Sequence, residues 1–375
     1  MPIFARKSSS IYLGIVLGII FLGGLAGAVY MRHVRKLSES PVVEPRLDIF
    51  SEQPGQQAVT KPGILDELPV GAPVIAYLNL AELRKWQQAP LTTLLGIDSS
   101  SPQEDQEYRK FVRETGFDYS RDLDRVAISL WPASLGVQAG STPVQNRAFA
   151  IAEGRFDEEK IKAYALRVEH AHIRAGQQFY EVAGDPPVVF EFRSTTELAF
   201  ASGDNASALL TASTSEASKK KDPALQSEID RVAAAPLFAI MRGDKLPASF
   251  YSSLQTYPQI EHLARDVLTL IVAGQPAGNT LRVALDAETA SRTDALEIAS
   301  LLEISRMGIS AGLSDPKAQP QMTGQQKALI EALVKELGIT HEGRQVSIRL
   351  GITPAMLNAA YGSTSAPASV SQARH

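Results

Sequence analysis

Apolar residues recur along the chain with two spacings, every second residue in some segments and every third or fourth residue in others. The first spacing is typical of strands with one buried face, and the second is typical of helices. Up to residue 212 they predict strands at 74–80, 125–131, 147–155, 177–182, 188–193 and 197–202, and helices at 103–115, 157–168 and 205–211.

The same order of elements returns after residue 227. Leu281, Val283 and Leu285 alternate with Arg282 and Asp286, which predicts a strand with one apolar face and one polar face. The second set comprises strands at 237–242, 266–273, 280–286 and 345–352, a turn at 274–279, helices at 249–264, 287–307 and 324–337, and a final short helix that begins at Pro354.

Three pairs of segments align by order and spacing. PVIAYLNL matches PLFAIMRG, RVAISLWP matches DVLTLIVAG, and RAFAIAEGRFDEEKIKAYALR matches LRVALDAETASRTDALEIASL. We therefore predict an α+β fold with two ferredoxin-like β-α-β-β-α-β units, each with an antiparallel sheet and helices on one face. The units occupy residues 69–212 and 227–361, and residues 213–226 form a Ser/Ala-rich linker between them.

Residues 11–31 carry no charged side chain and follow a basic segment at residues 1–10. A helix of this length spans the hydrocarbon core of a bilayer, which is about 30 Å thick. We interpret the run as a transmembrane anchor, although Ala26-Gly27-Ala28 would also fit the cleavage site of a signal peptide. Two G-x-x-x-G spacings within it predict close helix packing in lipid; they are formed by Gly14, Gly18, Gly23 and Gly27.

Pro, Gly, Ser, Glu and Gln dominate residues 32–68, which read as a flexible linker that holds the body away from the membrane. Residues 362–375 are Ser/Ala-rich without periodicity and are expected to be disordered. Basic residues flank the anchor on both sides in nearly equal number, so charge alone does not orient it. An anchor at the extreme N-terminus commonly serves as an export signal, which favours an extracytoplasmic body.

Charge and cysteine content exclude several classes of protein. The formal net charge is −4, and residues 37–375 hold 32 basic and 41 acidic side chains. Nucleic-acid binding needs a basic stripe, which this acidic body lacks. Cysteine is absent from the sequence, which excludes disulfides, zinc-thiolate sites and iron-sulfur clusters.

Carboxylates and histidines form two candidate ligand groups. Asp118, Asp122 and Asp124 could gather oxygen ligands for calcium, but they lack the D-x-D-x-D-G loop and its bidentate glutamate, so turn capping is the simpler interpretation. His170 and His172 would share one face of a strand and could bind a transition metal. No third histidine lies nearby in sequence, so we predict no metal site.

Catalytic motifs are also missing. The sequence contains no G-x-S-x-G elbow, P-loop or G-x-G-x-x-G, and its S-x-x-K match at Ser218 and Lys221 falls in the predicted linker. The pair Glu158 and Glu159 begins a helix, where carboxylates favour the positive end of the helix dipole. Tryptophans at positions 86 and 131 read as packing residues. We therefore predict no catalytic residue and no cofactor.

The segment FVRETGFDYSRDLDRV at residues 111–126, together with PVIAYLNLAEL and the N-terminal anchor, resembles uncharacterised bacterial membrane-anchored proteins of the DUF3352-like type. That resemblance implies a location in the bacterial cytoplasmic membrane and no established activity. Read physically, Gly116 ends a helix, Asp118 or Asp122 caps the next turn, and Val126 begins a buried strand face.

These observations predict a single-pass, membrane-anchored extracytoplasmic protein that is not an enzyme. A duplicated fold without clustered titratable residues favours a scaffold that binds another protein, or itself, through exposed sheet edges or faces. Two alternatives stay open. One is a small-molecule or lipid-binding module with its ligand between the two units, and the other is an enzyme of unrecognised type.

Overall fold

The computed structural model describes residues 62–86, 106–132, 146–168, 171–173, 179–182, 186–214, 222–247, 251, 258–314 and 324–356. The predicted anchor, its four glycines and the C-terminal tail lie outside these ranges. Within them, no helix combines the length and the apolar composition that a membrane span requires.

In the first part of the chain, up to residue 214, the described residues form seven strands and five α-helices. A 3₁₀ helix, η1 (Gly63–Glu67), precedes them. The strands are β1 (Val74–Asn79), β2 (Leu123–Trp131), β3 (Arg147–Gly154), β4 (His172–Ile173), β5 (Tyr180–Val182), β6 (Val188–Ser194) and β7 (Glu197–Ser202). The helices are α1 (Leu80–Lys85), α2 (Gln106–Thr115), α3 (Tyr119–Asp122), α4 (Glu158–Val168) and α5 (Ala206–Thr214).

In the second part, the residues that the structure describes form five strands and four α-helices. Its strands are β8 (Leu237–Arg242), β9 (Val267–Ala277), β10 (Thr280–Thr289), β11 (Gly338–Glu342) and β12 (Gln345–Ile352). Its helices are α6 (Pro223–Val232), α7 (Pro258–Arg265), α8 (Arg292–Ser314) and α9 (Gly324–Glu336), and a 3₁₀ turn, η2 (Gly243–Lys245), follows β8.

All twelve strands belong to one antiparallel sheet in the order β11-β12-β10-β9-β8-β1-β2-β3-β7-β6-β5-β4. The α+β class and the antiparallel pairing are therefore as predicted, but the ferredoxin-like units are not confirmed. A split β-α-β keeps its first two strands parallel and separated by a third. Here β1 and β2 pair directly and run antiparallel. The strands of the two units form one continuous sheet, because β1 of the first unit pairs with β8 of the second.

The two units are related by an approximate twofold axis between β1 and β8. Ala76 pairs with Ala239, and Val74 pairs with Met241 as Leu78 pairs with Leu237. This relationship agrees with the sequence alignment of β1 with β8. The predicted alignment of β2 with β9 is shifted by three residues. It matches Arg125 with Asp266, whereas the pairing of β2 with β1 and of β9 with β8 makes Arg125 equivalent to Thr269.

Each face of the sheet has its own apolar core. The front face, which carries Tyr77, Phe149 and Phe238, is covered by η1, α5 and α6, and their buried residues form the largest cluster. The back face is covered by α4 at the first unit and by α8 at the second, in two smaller clusters. Period-two alternation along the strands is what separates these cores.

Local geometry explains several boundaries. Gly116 has φ 76° and donates its N–H to the carbonyl oxygen of Val112, so it ends α2 as predicted. Asp157 caps α4, since its Oδ1 accepts the N–H of Lys160 at 3.1 Å. The turn between β9 and β10 is a two-residue hairpin at Gly278 and Asn279 rather than the predicted six-residue turn.

Boundaries also differ from prediction at the start of the folded body, at the join between the units and at the start of α8. Ile64, Leu65 and Leu68 are 2%, 4% and 6% exposed, so the folded body begins inside the predicted linker. In the same way, α6 takes up residues 223–226 of the predicted inter-unit linker. Helix α8 starts at Arg292, since residues 287–289 continue β10.

Candidate functional site

The sheet ends in two unlike edges. Among the described residues its β4 edge has two residues, and a short strand offers little backbone for pairing. Its β11 edge has five residues, of which four are exposed and only Ile339 is half-buried. In the described part of the chain β11 pairs with β12 alone, so the backbone groups on its outer side have no strand partner. The β11 edge is the larger surface for adding a strand.

A polar cleft of about 290 Å³ lies on the front face beside this edge. Its floor includes one row of cross-strand neighbours, and α6 forms one wall through Glu228 and Arg231. The row runs across four strands as Thr269, Glu288, Gln345 and Glu342. Adjacent strands are about 4.8 Å apart, so the row extends about 14 Å. The cleft thus opens next to the exposed strand.

The twofold relationship explains the polar floor of this cleft. Ile151 and Asp286 occupy equivalent positions, as do Phe149 and Ala284. Phe149 and Ile151 are fully buried under the helices of the front face, where they fill the core. Replacing this apolar volume by a carboxylate and a methyl group leaves polar space at the same place in the second unit.

Ion pairs line the cleft. Asp286 accepts hydrogen bonds from the hydroxyl of Ser347 at 2.7 Å and from Nη1 of Arg349 at 2.6 Å, and Nη2 of Arg231 lies 3.6 Å away. At the hairpin end, Arg344 pairs with Glu288 at 2.7 Å. Both Arg231 and Arg344 are about half exposed, so their side chains can move at little cost. The lining presents charge of both signs.

Asp118 and Asp122 lie close together, but they cap and brace a turn. The Oδ1 atom of Asp118 accepts the N–H of Ser120 at 2.9 Å and so caps α3, as predicted. Asp122 is 7% exposed and pairs with Arg121 and Arg155. The hydrogen bond from Arg121 is the main reason that the pKa of Asp122 is lowered. Asp124 points to Arg84 instead.

The histidines do not assemble. His172 lies exposed on β4, and its Nε2 is 3.8 Å from a carboxyl oxygen of Glu181. His262 lies on α7, and its Nδ1 is 3.9 Å from a carboxyl oxygen of Asp266. His341 lies on β11. Glu169 and His170 lie outside the described residues, as do Ser218 and Lys221. Among the residues that the structure describes, no three His, Asp or Glu side chains are placed to hold a metal ion.

The glutamate pair and the two tryptophans lie on helices or pack against the sheet. Glu158 pairs with Lys162 in the first turns of α4 at 2.5 Å, and Glu159 is exposed in the same turn. Trp86 is 9% exposed and packs against Leu281 on the back face. Trp131 is half-buried on the front face, with the guanidinium carbon of Arg147 5.4 Å from its ring centroid.

Sequence reasoning missed both parts of the candidate site. The β11 strand has one large apolar residue, so its alternation is too weak to detect, but Gly343 in Glu342-Gly343-Arg344-Gln345 is a hairpin signal. With φ 59°, Gly343 adopts the left-handed conformation that such a turn needs.

Comparison with known proteins gives a fold likeness only. Neither a protein-family model nor a curated protein matches the chain. Solved structures of TP0453 in its crystal forms III and I are similar to it at 12% and 11% identity, each with a TM-score of 0.43. They cover 80% and 81% of this chain and 98% of TP0453. The resemblance to DUF3352-like proteins stays a prediction.

Proposed function

We propose that the protein is a membrane-anchored interaction module of the bacterial cell envelope, which binds an extended segment of another protein along β11. The exposed β11 edge, at the opposite end of the sheet from the blunted β4 edge, is the observation that carries this proposal. A strand that adds there gains main-chain hydrogen bonds, and alternate side chains give specificity.

The surroundings of β11 support a segment with alternating character. Thr340 and Glu342 lie on the polar front face, next to the cleft. On the back face, Ile339 packs with the core under α8. An added strand would therefore place polar side chains toward the cleft and apolar ones toward α8. The predicted anchor and its linker would hold this edge near the membrane, where the partner is expected.

Crosslinking in intact cells tests the proposal. A photoreactive residue is placed at Glu342, which is exposed on β11, and a control residue is placed at Ile173 on the blunted edge. We expect a discrete adduct from position 342 and none from position 173. Glu342 and Gln345 close the two-residue hairpin as a hydrogen-bonded pair, so the N–H of His341 faces away from β12. His341→Pro should abolish the adduct, because proline cannot donate a ladder hydrogen bond to the added strand, whereas His341→Val should retain it.

Two results would contradict this proposal. Adducts that persist in His341→Pro would show that the contact is not strand pairing. Absence of any adduct at position 342 would show that the edge is unoccupied in the cell. An adduct with the mass of two chains would identify the partner as a second copy.

The cleft favours a second candidate function, the binding of a small polar ligand. We infer a ligand of mixed charge, since carboxylates and guanidiniums both line the space, which is near the lower limit of ligand pockets, about 300 Å³. The cleft lies within the second unit rather than between the units. Thermal-shift screening of amino acids and diamines tests this, with Glu288→Gln expected to remove any shift and Glu158→Gln to preserve it.

A further inference from the structure

Two carboxyl groups meet where η1 packs on the sheet. Glu67 is the last residue of η1, and Glu197 is the first residue of β7. Their carboxyl groups lie within hydrogen-bonding reach of each other. The Oε1 atom of Glu197 is buried and has no hydrogen-bond partner in the described part of the chain. Two carboxylates so placed repel, while one shared proton converts the repulsion into a hydrogen bond.

Positive charge near this pair is limited. Arg193 of β6 pairs with Glu67, but it also pairs with Glu191 at 3.2 Å and donates to the hydroxyl of Ser213 on α5. The next charged groups along this row are Glu153 of β3, which is the cross-strand neighbour of Glu197, and Arg125 of β2, which pairs with Glu153 at 2.9 Å. Arg193 therefore neutralises the pair only in part.

The segment that carries Glu67 covers the front-face core. Ile64, Leu65 and Leu68 belong to the same cluster as Ile75 and Phe149. This segment is also the end of the predicted linker, which joins the predicted anchor to the sheet. A change in how firmly η1 is held therefore alters the join between the anchor region and the sheet.

We propose that Glu67 and Glu197 form a pH-sensitive latch, which holds η1 on the sheet in acid and loosens it as the pH rises to neutral. Burial is the main cause that raises the pKa of Glu197 to about 7, and the neighbouring Glu67 adds to it. The ordinary value is 4.5, so the docked form binds more protons than the released form between these two values. The docking of η1 on the sheet thus weakens as the pH rises from 4.5 to about 7, and it changes little at higher pH.

Hydrogen exchange of the full chain tests the latch. The opening equilibrium of residues 63–68, after correction for intrinsic exchange, should rise about 30-fold between pH 5.5 and pH 8 and level off above pH 8. Residues 237–242 in the centre of the sheet should show no such rise, which separates release of η1 from global unfolding.

Two variants make the test specific. Glu197→Gln mimics the protonated acid, so its opening should not depend on pH, and Glu67→Gln should show a smaller rise than the natural chain. Glu158→Gln, on α4 at the back face of the sheet, should behave as the natural chain does. A flat profile in the natural chain, or an unchanged rise in Glu197→Gln, would overturn the latch. Neither result bears on the β11 edge, because β11 lies at the far end of the sheet.

Discussion

The indole nitrogen of Trp86 donates a hydrogen bond to the carbonyl oxygen of Gly278 at 2.6 Å. Trp86 follows α1 in the first unit, and Gly278 lies in the β9–β10 hairpin of the second. Together with the pairing of β1 with β8, this contact joins the two units on the back face of the sheet.

Removing that hydrogen bond should cost a measurable part of the stability. Trp86→Phe keeps most of the apolar contact with Leu281 but leaves the carbonyl of Gly278 without its donor, so we expect a loss of about 1–2 kcal/mol in the free energy of unfolding. Trp131→Phe is the matched control and should cost less, because Trp131 is half exposed. Urea unfolding monitored by circular dichroism measures both. Equal losses would show that the hydrogen bond contributes little.

Gly154 is required for the close approach of β3 to the α3–β2 junction. A Cβ atom at this position would lie 2.4 Å from the backbone oxygen of Asp122, which cannot move without disturbing β2. We expect Gly154→Ala to destabilise the protein by about 3 kcal/mol, as overpacking does in rigid surroundings. Gly63→Ala meets no atom within 4 Å and serves as the control. A melting temperature for Gly154→Ala equal to that of the control would refute this packing argument.

Proline should distinguish the centre of the sheet from its edge. Ala239 lies in β8, which is paired on both sides, so Ala239→Pro removes a ladder hydrogen bond or clashes with a neighbouring strand and should cost about 3 kcal/mol or more. His341→Pro removes an N–H that faces away from β12 and should cost clearly less. Thermal unfolding compares the two variants. If His341→Pro were as damaging as Ala239→Pro, β11 would have a partner on its outer side within the chain.

Asp122 should contribute stability that is lost in acid. Its pKa is lowered chiefly by the hydrogen bond from Arg121, so the unfolded chain binds this proton more readily than the folded one. Stability from this group is therefore present above about pH 4 and falls as the pH decreases below that value. Asp122→Asn should destabilise the protein at pH 7 by about 2 kcal/mol and less at pH 3. Urea unfolding at both values checks this, and an equal loss at pH 3 would contradict it.

The sequence predicts local structure better than it predicts the sheet. Strands β7, β8 and β12 have their predicted boundaries, because Gly, Pro or other turn residues flank each of these segments of strand-forming residues. The continuation of one unit into the other through Ala76 and Ala239 was not predicted. Pairing between strands that are 163 residues apart leaves no local pattern, since it depends only on which edges meet in space.

The candidate site was predicted only in its general character. An exposed sheet edge was expected, but β11 itself was not, because a short edge strand needs few apolar residues. Glu67 was assigned to the linker, although Ile64, Leu65 and Leu68 have spacing suited to one buried face of a helical turn. Its contact with Glu197 depends on tertiary packing and has no signal in sequence.

Exchange protection of β11 in native membranes is the most direct test of the proposed interaction. Amide exchange at residues 338–342 is compared between the full chain in membrane vesicles from producing cells and the same chain purified in detergent. We predict exchange at least tenfold slower in the native vesicles, with residues 172–173 unchanged, because a partner strand would hydrogen-bond the outer side of β11. Equal rates of β11 exchange in the two preparations would contradict the account.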